Sequence, residues 1–240
     1  MFRGFWNKKH RSFSAIPKAI IVLFALGLCL QFSLPFYTPS SQAIKQELPS
    51  IPDENIWPLI SFGEAETLSK LLMLWLQAFD NQPGISIPFN KLDYQKLQDW
   101  LNIIIKLDPK SNYPMLVASR IYTEVPNHDK QEKMMNFVYQ QFLLDPKKNW
   151  PWLAHVTMLA KHRLNNHTLA LKYANALADS KFNYEIPSWA RQLNIIVLED
   201  IGELETARLL IGGLIESKTI TDPKELFWLE QRLKQLETGN

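Results

Sequence analysis

Two ten-residue stretches of this chain have nearly the same sequence. LDPKSNYPML at residues 107–116 recurs as LDPKKNWPWL at residues 144–153, with seven of ten positions identical. The two stretches are 37 residues apart. A fixed repeat distance in a sequence of helical periodicity is typical of stacked helical hairpins, in which each unit buries its apolar face against the next. The sequence therefore predicts an all-α repeat fold.

Weaker matches extend the repeat toward the C-terminus. A further shift of 37 residues takes Trp152 to Trp189 and Ala170 to Ala207. We expect Trp152 and Trp189 to fill equivalent gaps between neighbouring hairpins, because aromatic rings supply much of the buried area of such cores. The expected architecture is about four helical pairs followed by one final helix.

These motifs resemble the tetratricopeptide repeat. LDP at residues 107–109 and 144–146 is similar to the Leu-Asp-Pro that closes a repeat in that family. GELETA at residues 202–207 is similar to the turn and helix crossing of its hairpin, and residues 165–170 match more loosely. The period departs from the family's value of about 34 residues. Over roughly residues 113–217, the resemblance implies a right-handed α-α superhelix, as in membrane-anchored bacterial proteins of this type, with first helices lining a groove for a partner.

The N-terminal residues indicate a membrane segment. Five Lys and Arg and no acid occupy residues 1–18, and a nearly unbroken apolar run occupies residues 19–37. A helix over this run spans about 28 Å, close to the thickness of a hydrocarbon core. Because Lys and Arg resist translocation, we expect a cytoplasmic basic tail, a transmembrane helix and a periplasmic remainder. The alternative is a signal peptide cleaved after Ala43.

Beyond this segment the sequence divides into two parts. Residues 38–60 are rich in proline and are expected to form a spacer. Residues 61–240 are expected to form the repeat domain. A capping box of Ser61 and Glu64 predicts the start of its first helix. Asp222 predicts the start of the last helix, which we expect to cover the open end of the stack.

The charge balance does not indicate a nucleic-acid-binding surface. The chain has 26 Lys and Arg against 24 Asp and Glu, and five of the basic residues lie in residues 1–43, which hold no acid. The remainder therefore carries a net charge of about −3, which is unlike a basic nucleic-acid-binding domain. Cys29 is the only cysteine and lies in the apolar run, so the remainder has no disulfide and no thiol nucleophile.

Two features are candidate sites for binding a partner. An acidic cluster around one turn forms either a solvated turn or a docking site for a basic partner. Its members are Glu199, Asp200, Glu203 and Glu205. Trp150, in the sequence WPW, either fills the groove between hairpins or offers a platform on which a partner stacks.

Two other patterns raise metal binding and catalysis. His155 and His162 lie seven residues apart on one helix face, and His167 follows, but no His-Glu-x-x-His motif accompanies them. Ordinary helix and turn histidines are therefore favoured over a metal site. Glu216 and the serine after it are similar to the Glu-Ser pair of lytic transglycosylases, but lysine follows where that family has glycine, and a helix end is favoured. We expect no catalytic residue, no cofactor and no metal.

Two adjacent glycines interrupt a strongly helical stretch. Gly212 and Gly213 together cost a helix about 1–2 kcal/mol relative to alanine. The pair therefore predicts the close approach of a neighbouring helix or of a ligand, and helix packing is the favoured interpretation.

The sequence favours an interaction protein over an enzyme. We expect a single-pass protein of the bacterial inner membrane whose periplasmic repeats act as a protein–protein interaction scaffold. No nucleic-acid partner and no small-molecule substrate is expected. The alternatives are a structural subunit of a membrane complex and a glycan-acting envelope enzyme or its accessory.

Overall fold

The computed structural model describes residues 17–37, 46–82, 85–179, 181, 186–218 and 220–238. Within these residues the secondary structure is helical apart from one pair of two-residue strands, Asn81–Gln82 and Ile85–Ser86. The all-α prediction is therefore confirmed. Most of the predicted basic tail, and the predicted cleavage point after Ala43, lie outside the described residues.

The first described element is helix α1, Lys18–Tyr37. It belongs to the first of two compact units, and the second unit begins at Gln46. Its apolar side chains are exposed, with Leu23 at 74 % and Phe24 at 67 %. In the part of the chain that the structure describes, no helix is both long and apolar enough to cross a membrane. The predicted helix is thus present, and its passage through a membrane stays a prediction.

The second unit contains the remaining helices. Their bounds are α2 Trp57–Ile60, α3 Ala65–Ala78, α4 Tyr94–Leu107, α5 Tyr113–Arg120, α6 His128–Leu144, α7 Pro146–His162, α8 His167–Ala178, α9 Ser188–Arg191, α10 Leu193–Asp200, α11 Leu204–Glu216 and α12 Pro223–Thr238. Short 3-10 helices, Glu54–Ile56 and Phe89–Lys91, precede α2 and α4.

These helices pack in chain order. The pairs are α3 with α4, α5 with α6, α7 with α8, and the α9–α10 segment with α11, and α12 packs on α11. Each pair contacts the next, most extensively through α6 with α7 and through α8 with α10. Short turns join α6 to α7, α7 to α8 and α10 to α11, and such short connections imply that these neighbouring helices run antiparallel. Within the described residues this arrangement agrees with the expected four pairs and a final helix.

The 37-residue spacing is visible in the backbone. Asn165 and Gly202 have positive φ angles, 52° and 81°, in the turns before α8 and α11. Ala170 and Ala207, the same distance apart in sequence, are fully buried on those two helices. A left-handed residue lets the chain reverse at a helix end, and a small buried side chain lets two helices cross closely. The last two hairpins therefore share their local chemistry.

The repeated LDP motif forms two different turns. Asp145 accepts a 3.1 Å hydrogen bond from the backbone N–H three residues later and caps α7, whose first residue is Pro146. Proline suits that position because its missing N–H has no partner within a helix. Asp108 accepts hydrogen bonds of 3.2 and 3.3 Å from the next turn instead, and α5 begins only at Tyr113. The same LDP sequence thus begins a helix in one repeat and lies in the loop before a helix in the other.

Residues 46–60 pack against the folded domain, so this part of the predicted spacer is not a free linker. Leu48 and Trp57 are buried, and the indole N–H of Trp100 donates a 2.9 Å hydrogen bond to the carbonyl of Pro49. The rings of Trp57 and Trp100 meet edge to face, with 5.8 Å between their centroids. Burying a large apolar side chain contributes about 1.5–3 kcal/mol, which favours docking of this segment over free extension. The segment therefore belongs to the folded domain.

The predicted capping box at the start of that domain is wrong. Ser61 ends α2, where its Oγ donates a 3.0 Å hydrogen bond to the carbonyl of Pro58. Phe62 and Gly63 have positive φ angles of 49° and 87°, so the chain turns before α3 begins. Glu64 is the N-cap residue of α3, but its side chain makes no capping hydrogen bond. A turn with two left-handed residues replaces the predicted helical start.

The predicted start of the last helix is confirmed. The carboxylate of Asp222 accepts a 2.9 Å hydrogen bond from the backbone N–H of Lys224, and Pro223 is the first residue of α12. Leu229 is fully buried on this helix, where it joins a cluster with Ile211 of α11. The apolar side of α12 therefore covers the end of the preceding hairpin, as expected.

Candidate functional site

Aromatic side chains lie near the starts of three first helices. Tyr113 begins α5, Trp150 lies near the start of α7, and Trp189 lies in α9. The rings of Trp150 and Trp189 meet edge to face, with 5.5 Å between centroids and 76° between planes. The hydroxyl of Tyr113 donates a 3.0 Å hydrogen bond to Gln77 of α3. We name Tyr113, Trp150 and Trp189 the aromatic row.

Trp189 does not fill the gap between hairpins that the repeat predicted. Its side chain is 56 % exposed, whereas Trp152, one repeat earlier, is half-buried with its indole nitrogen shielded from solvent. The difference follows from the helix that carries each ring. Trp152 lies inside the 17-residue α7, but α9 has four residues and ends before Gln192. The short helix turns Trp189 outward against Trp150.

The predicted acidic cluster is divided by ion pairs within the chain. The carboxylate of Glu199 accepts a 2.8 Å hydrogen bond from Nε of Arg232 and a second one from Nη2. This side chain is 9 % exposed, and its hydrogen bond raises the pKa of Arg232. A planar guanidinium matches a carboxylate in this two-point geometry. Glu199 therefore fastens α12 to α10 and is not offered to a partner.

Asp200 is also engaged within the fold. Its carboxylate pairs with the ammonium of Lys161, which lies at the end of α7 with a side chain only 5 % exposed. Burial lowers the pKa of Lys161, and the neighbouring charge of Glu199 opposes that effect. An ammonium group that is removed from water needs a counter-charge. Asp200 supplies it, so this residue connects two successive hairpins.

Glu203 and Glu205 are exposed, and the bonds that they make lie within the start of α11. Glu205 pairs with Arg208 one turn later at 2.6 Å, and Glu203 accepts a 3.3 Å hydrogen bond from the hydroxyl of Thr206. Exposed pairs of this kind contribute little to stability and exchange readily with outside charges. The docking hypothesis is therefore confined to these two residues, at the start of α11.

The histidines occupy different environments. His155 is half-buried, and its Nε2 is shielded from solvent and has no hydrogen-bond partner among the described residues. Burial lowers the pKa of His155, and the charge of Arg120 lowers it further. His162 is exposed at the end of α7, and His167 begins α8. No group of three or more potential metal ligands occurs among the described residues.

Glu216 and the two glycines lie on α11. Glu216 is exposed at the last residue of that helix, and the hydroxyl of Ser217 donates a 2.8 Å hydrogen bond to the carbonyl of Leu214. A β-carbon added at Gly212 or Gly213 meets nothing within 4 Å. The predicted close helix approach at the glycines is therefore wrong for the described residues, since packing leaves room for side chains at both positions.

A groove between α4 and α6, lined by amide side chains, was not predicted from the sequence. Asn102 of α4 and Gln141 of α6 form its centre and are joined by a 2.8 Å hydrogen bond. Gln98 of α4 donates a 2.8 Å hydrogen bond across the same groove to the backbone carbonyl of Lys133. The signal in the sequence was the number of Asn and Gln residues on these two helices, which carries no recognisable motif.

No protein-family model, curated protein or solved structure matches this chain.

Proposed function

We propose that this protein is a membrane-anchored helical-repeat scaffold of the bacterial envelope that binds another protein. The observation that carries the proposal is the aromatic row, Tyr113, Trp150 and Trp189, on the starts of successive first helices. Tyr113 is 47 % exposed and Trp189 is 56 % exposed. Exposed aromatic side chains with restricted rotamers are the residue type most often found at the centre of protein interfaces.

The proposed mode of action is recognition along a stack. If the hairpins coil into a right-handed superhelix of tetratricopeptide-like form, their first helices follow one another along a single surface. The ring contact between Trp150 and Trp189 supports continuity of that surface from α7 to α9. A partner helix or peptide lying along it would bury the three rings of the aromatic row in succession.

The proposed anchor is helix α1. Five basic residues precede Ala19, and the side chains described on this helix, from Lys18 to Phe32, are exposed. Exposed apolar side chains on a helix favour burial in lipid over contact with water. By the positive-inside rule the N-terminus lies in the cytoplasm and the repeats lie in the periplasm.

Site-specific photocrosslinking in cells tests the scaffold proposal. A photoreactive amino acid replaces Tyr113 or Trp189 in the full chain, and the matched control replaces Glu237, which is exposed on α12. We expect one or more discrete protein adducts from the two positions in the aromatic row and none from Glu237. Equal adducts from all three positions, or adducts from none, would contradict the proposal.

Topology reporters test the placement. A reporter that is active only after export, fused after Asn240, should be active when Lys18 and the preceding basic residues are intact. Activity of a reporter that works only in the cytoplasm, at the same fusion point, would reverse the assignment.

A structural subunit of a membrane complex is the second candidate function. It is favoured by exposed apolar side chains on the last two helices, Leu209 on α11 and Phe227 on α12, which are 73 % and 62 % exposed. A permanent subunit contact buries such residues in a larger and more apolar interface. Under this alternative, Phe227→Asp dissociates a stoichiometric complex on native gels, whereas Trp189→Ala leaves it intact.

A further inference from the structure

The groove between α4 and α6 has an unusual lining. A cavity of about 330 Å³ lies there, and five of its seven lining residues carry side-chain amides. The lining residues are Gln98, Asn102, Lys133, Asn136, Phe137, Gln140 and Gln141. Apolar side chains usually dominate a pocket for a small molecule. A wall of amides suits a ligand that presents hydrogen-bond donors and acceptors along its length.

The groove continues past the first cavity toward α7. A second cavity of about 250 Å³ shares Asn102 and Gln141 with the first one. Its floor includes Ile105 and Met115. Since the same two residues line both cavities, the concave surface extends along four helices, α4 to α7, and an elongated ligand fits it better than a compact one.

Neighbouring groups hold the amides in fixed orientations. Gln141 donates its Nε2 to Oδ1 of Asn102 at 2.8 Å, and Oδ1 of Asn136 accepts a 3.1 Å hydrogen bond from the hydroxyl of Tyr173. Each of these bonds uses one polar atom of an amide and leaves the other for a ligand. Gln140 is exposed and has no hydrogen-bond partner among the described residues. The groove therefore presents preoriented donors and acceptors.

The charges around the groove are mainly positive. Lys133 lines the first cavity, and Lys106, Lys148 and Asp145 line the second. The ammonium of Lys148 already donates to the backbone carbonyls of Pro109 and Ser111, and the carboxylate of Asp145 caps α7, so the exposed Lys133 carries the positive charge that faces a ligand. Basic linings attract carboxylates, an effect that salt weakens.

We propose that this amide-lined groove binds an extended acidic peptide segment of a partner protein. A side-chain amide carries the same C=O and N–H groups as a peptide unit, so it bonds to a peptide backbone at both atoms. Lys133, which is exposed at the first cavity, receives an acidic side chain of the segment. Phe137, the aromatic residue in the first cavity, is only 6 % exposed and offers no ring face on which a sugar could stack. The proposal rests on the scaffold function and assigns it a second surface, on the second helices of the hairpins.

Fluorescence anisotropy with the full chain in detergent micelles tests this assignment. The probe is a labelled peptide of alternating Ser and Glu, about ten residues long, which extends to about 33 Å. Peptides with Gln or Lys in place of Glu serve as comparisons, and a chito-oligosaccharide and a single-stranded oligonucleotide serve as competitors. We expect the acidic peptide to bind at least about tenfold more tightly than the Gln peptide, with weaker binding at high salt.

Matched variants locate the binding. Gln140→Ala and Lys133→Glu, both at exposed positions, should each weaken binding about fivefold or more. Gln95→Ala, whose side chain bonds to Asp99, and Lys70→Glu on α3 are the controls and should bind as the parent does. Circular dichroism and thermal unfolding establish that all four variants are folded.

Several results would overturn the groove assignment. They are equal binding of the acidic and Gln peptides, loss of binding in the controls as well as in the groove variants, and equal competition by the sugar or the oligonucleotide. If these results appear while the aromatic row still yields crosslinks, the groove assignment fails and the scaffold proposal stands. If the crosslinks fail as well, both are rejected.

Discussion

Arg232 on the last helix holds both carboxylate oxygens of Glu199 on α10, through Nε at 2.8 Å and through Nη2. The two residues are 33 positions apart, and the carboxylate is almost fully shielded from solvent. The pair therefore joins α12 to the preceding hairpin at a point where Leu229 also packs. A hydrogen-bonded charge pair and an apolar contact together fix the end of the stack.

Replacing Arg232 with methionine should destabilise the fold by about 1–2 kcal/mol, because Glu199 is left shielded and without its counter-charge. Methionine keeps most of the packing of the arginine stem. Arg208→Met is the control, since its partner Glu205 is 75 % exposed, and it should change the free energy of unfolding by less than about 0.5 kcal/mol. Urea unfolding measures both. Equal losses in the two variants would show that the shielded pair is not stabilising.

The pair of Lys161 and Asp200 should respond asymmetrically to substitution. Lys161→Met fills the same buried space without removing a charge from water, and Asp200 remains 43 % exposed and hydrated. The free energy of unfolding of the Lys161→Met variant should therefore stay within about 1 kcal/mol of the parent value. Asp200→Asn should cost about 1–2 kcal/mol, because the buried ammonium loses its counter-charge. Two equal losses in urea unfolding would contradict this reasoning.

The pH dependence of Asp200→Asn supplies a separate test. Burial already lowers the pKa of Lys161 below 10.5, and loss of the partner carboxylate should lower it further. Between the lowered value and 10.5 the unfolded state binds more protons than the folded state, so stability rises with pH in that window. The rise should be larger in the variant than in the parent chain, measured by urea unfolding at a series of pH values. If the difference in the free energy of unfolding between variant and parent did not change with pH, the ionisation of Lys161 would not be coupled to folding in this way.

Much of the fold was predictable because its signals are local. Gly202 predicts a turn, and Ala207, five residues later, predicts a close crossing of two helices. Asp222 caps α12 by accepting a hydrogen bond from the backbone of its own helix. Such features depend on neighbouring backbone, which the sequence displays directly. The recurrence of the LDP motif then indicates how often the unit repeats.

The remaining features depend on residues far apart in sequence. Leu48 and Trp57 are buried against the folded domain, where Trp57 contacts Trp100. The sequence of the Pro-rich segment alone does not predict that contact. The pairing of Glu199 with Arg232 depends on the position at which α12 packs against the preceding helices. The outward orientation of Trp189 follows from the early end of α9. Each outcome is a property of tertiary packing, which helical periodicity alone does not specify.

Substitutions at Trp189 and Trp152 should distinguish a role in stability from a role in binding a partner. Trp189→Ala should cost less than about 1 kcal/mol, because its side chain is mostly exposed, while Trp152→Ala should cost about 2–3 kcal/mol. If Trp189 contacts a partner, its replacement should abolish the crosslinked adduct formed from position Tyr113 in a chain that is still folded. Thermal unfolding and crosslinking measure the two effects independently. A large stability loss in Trp189→Ala would mark it as a core residue.

The glycines of α11 should be replaceable with a gain in stability. A β-carbon at Gly212 or Gly213 meets nothing within 4 Å, and alanine favours a helix over glycine by about 1 kcal/mol. Each Ala variant should therefore raise the free energy of unfolding by about 0.5–1 kcal/mol. Gly202→Ala is the matched control: its site is equally open, but its φ angle of 81° strains any side chain, so it should destabilise by about 1 kcal/mol. A stability loss at position 212 or 213 would mean that another part of the chain approaches this face of α11. A stability gain with loss of the crosslinked adduct would instead show that a partner uses the open backbone.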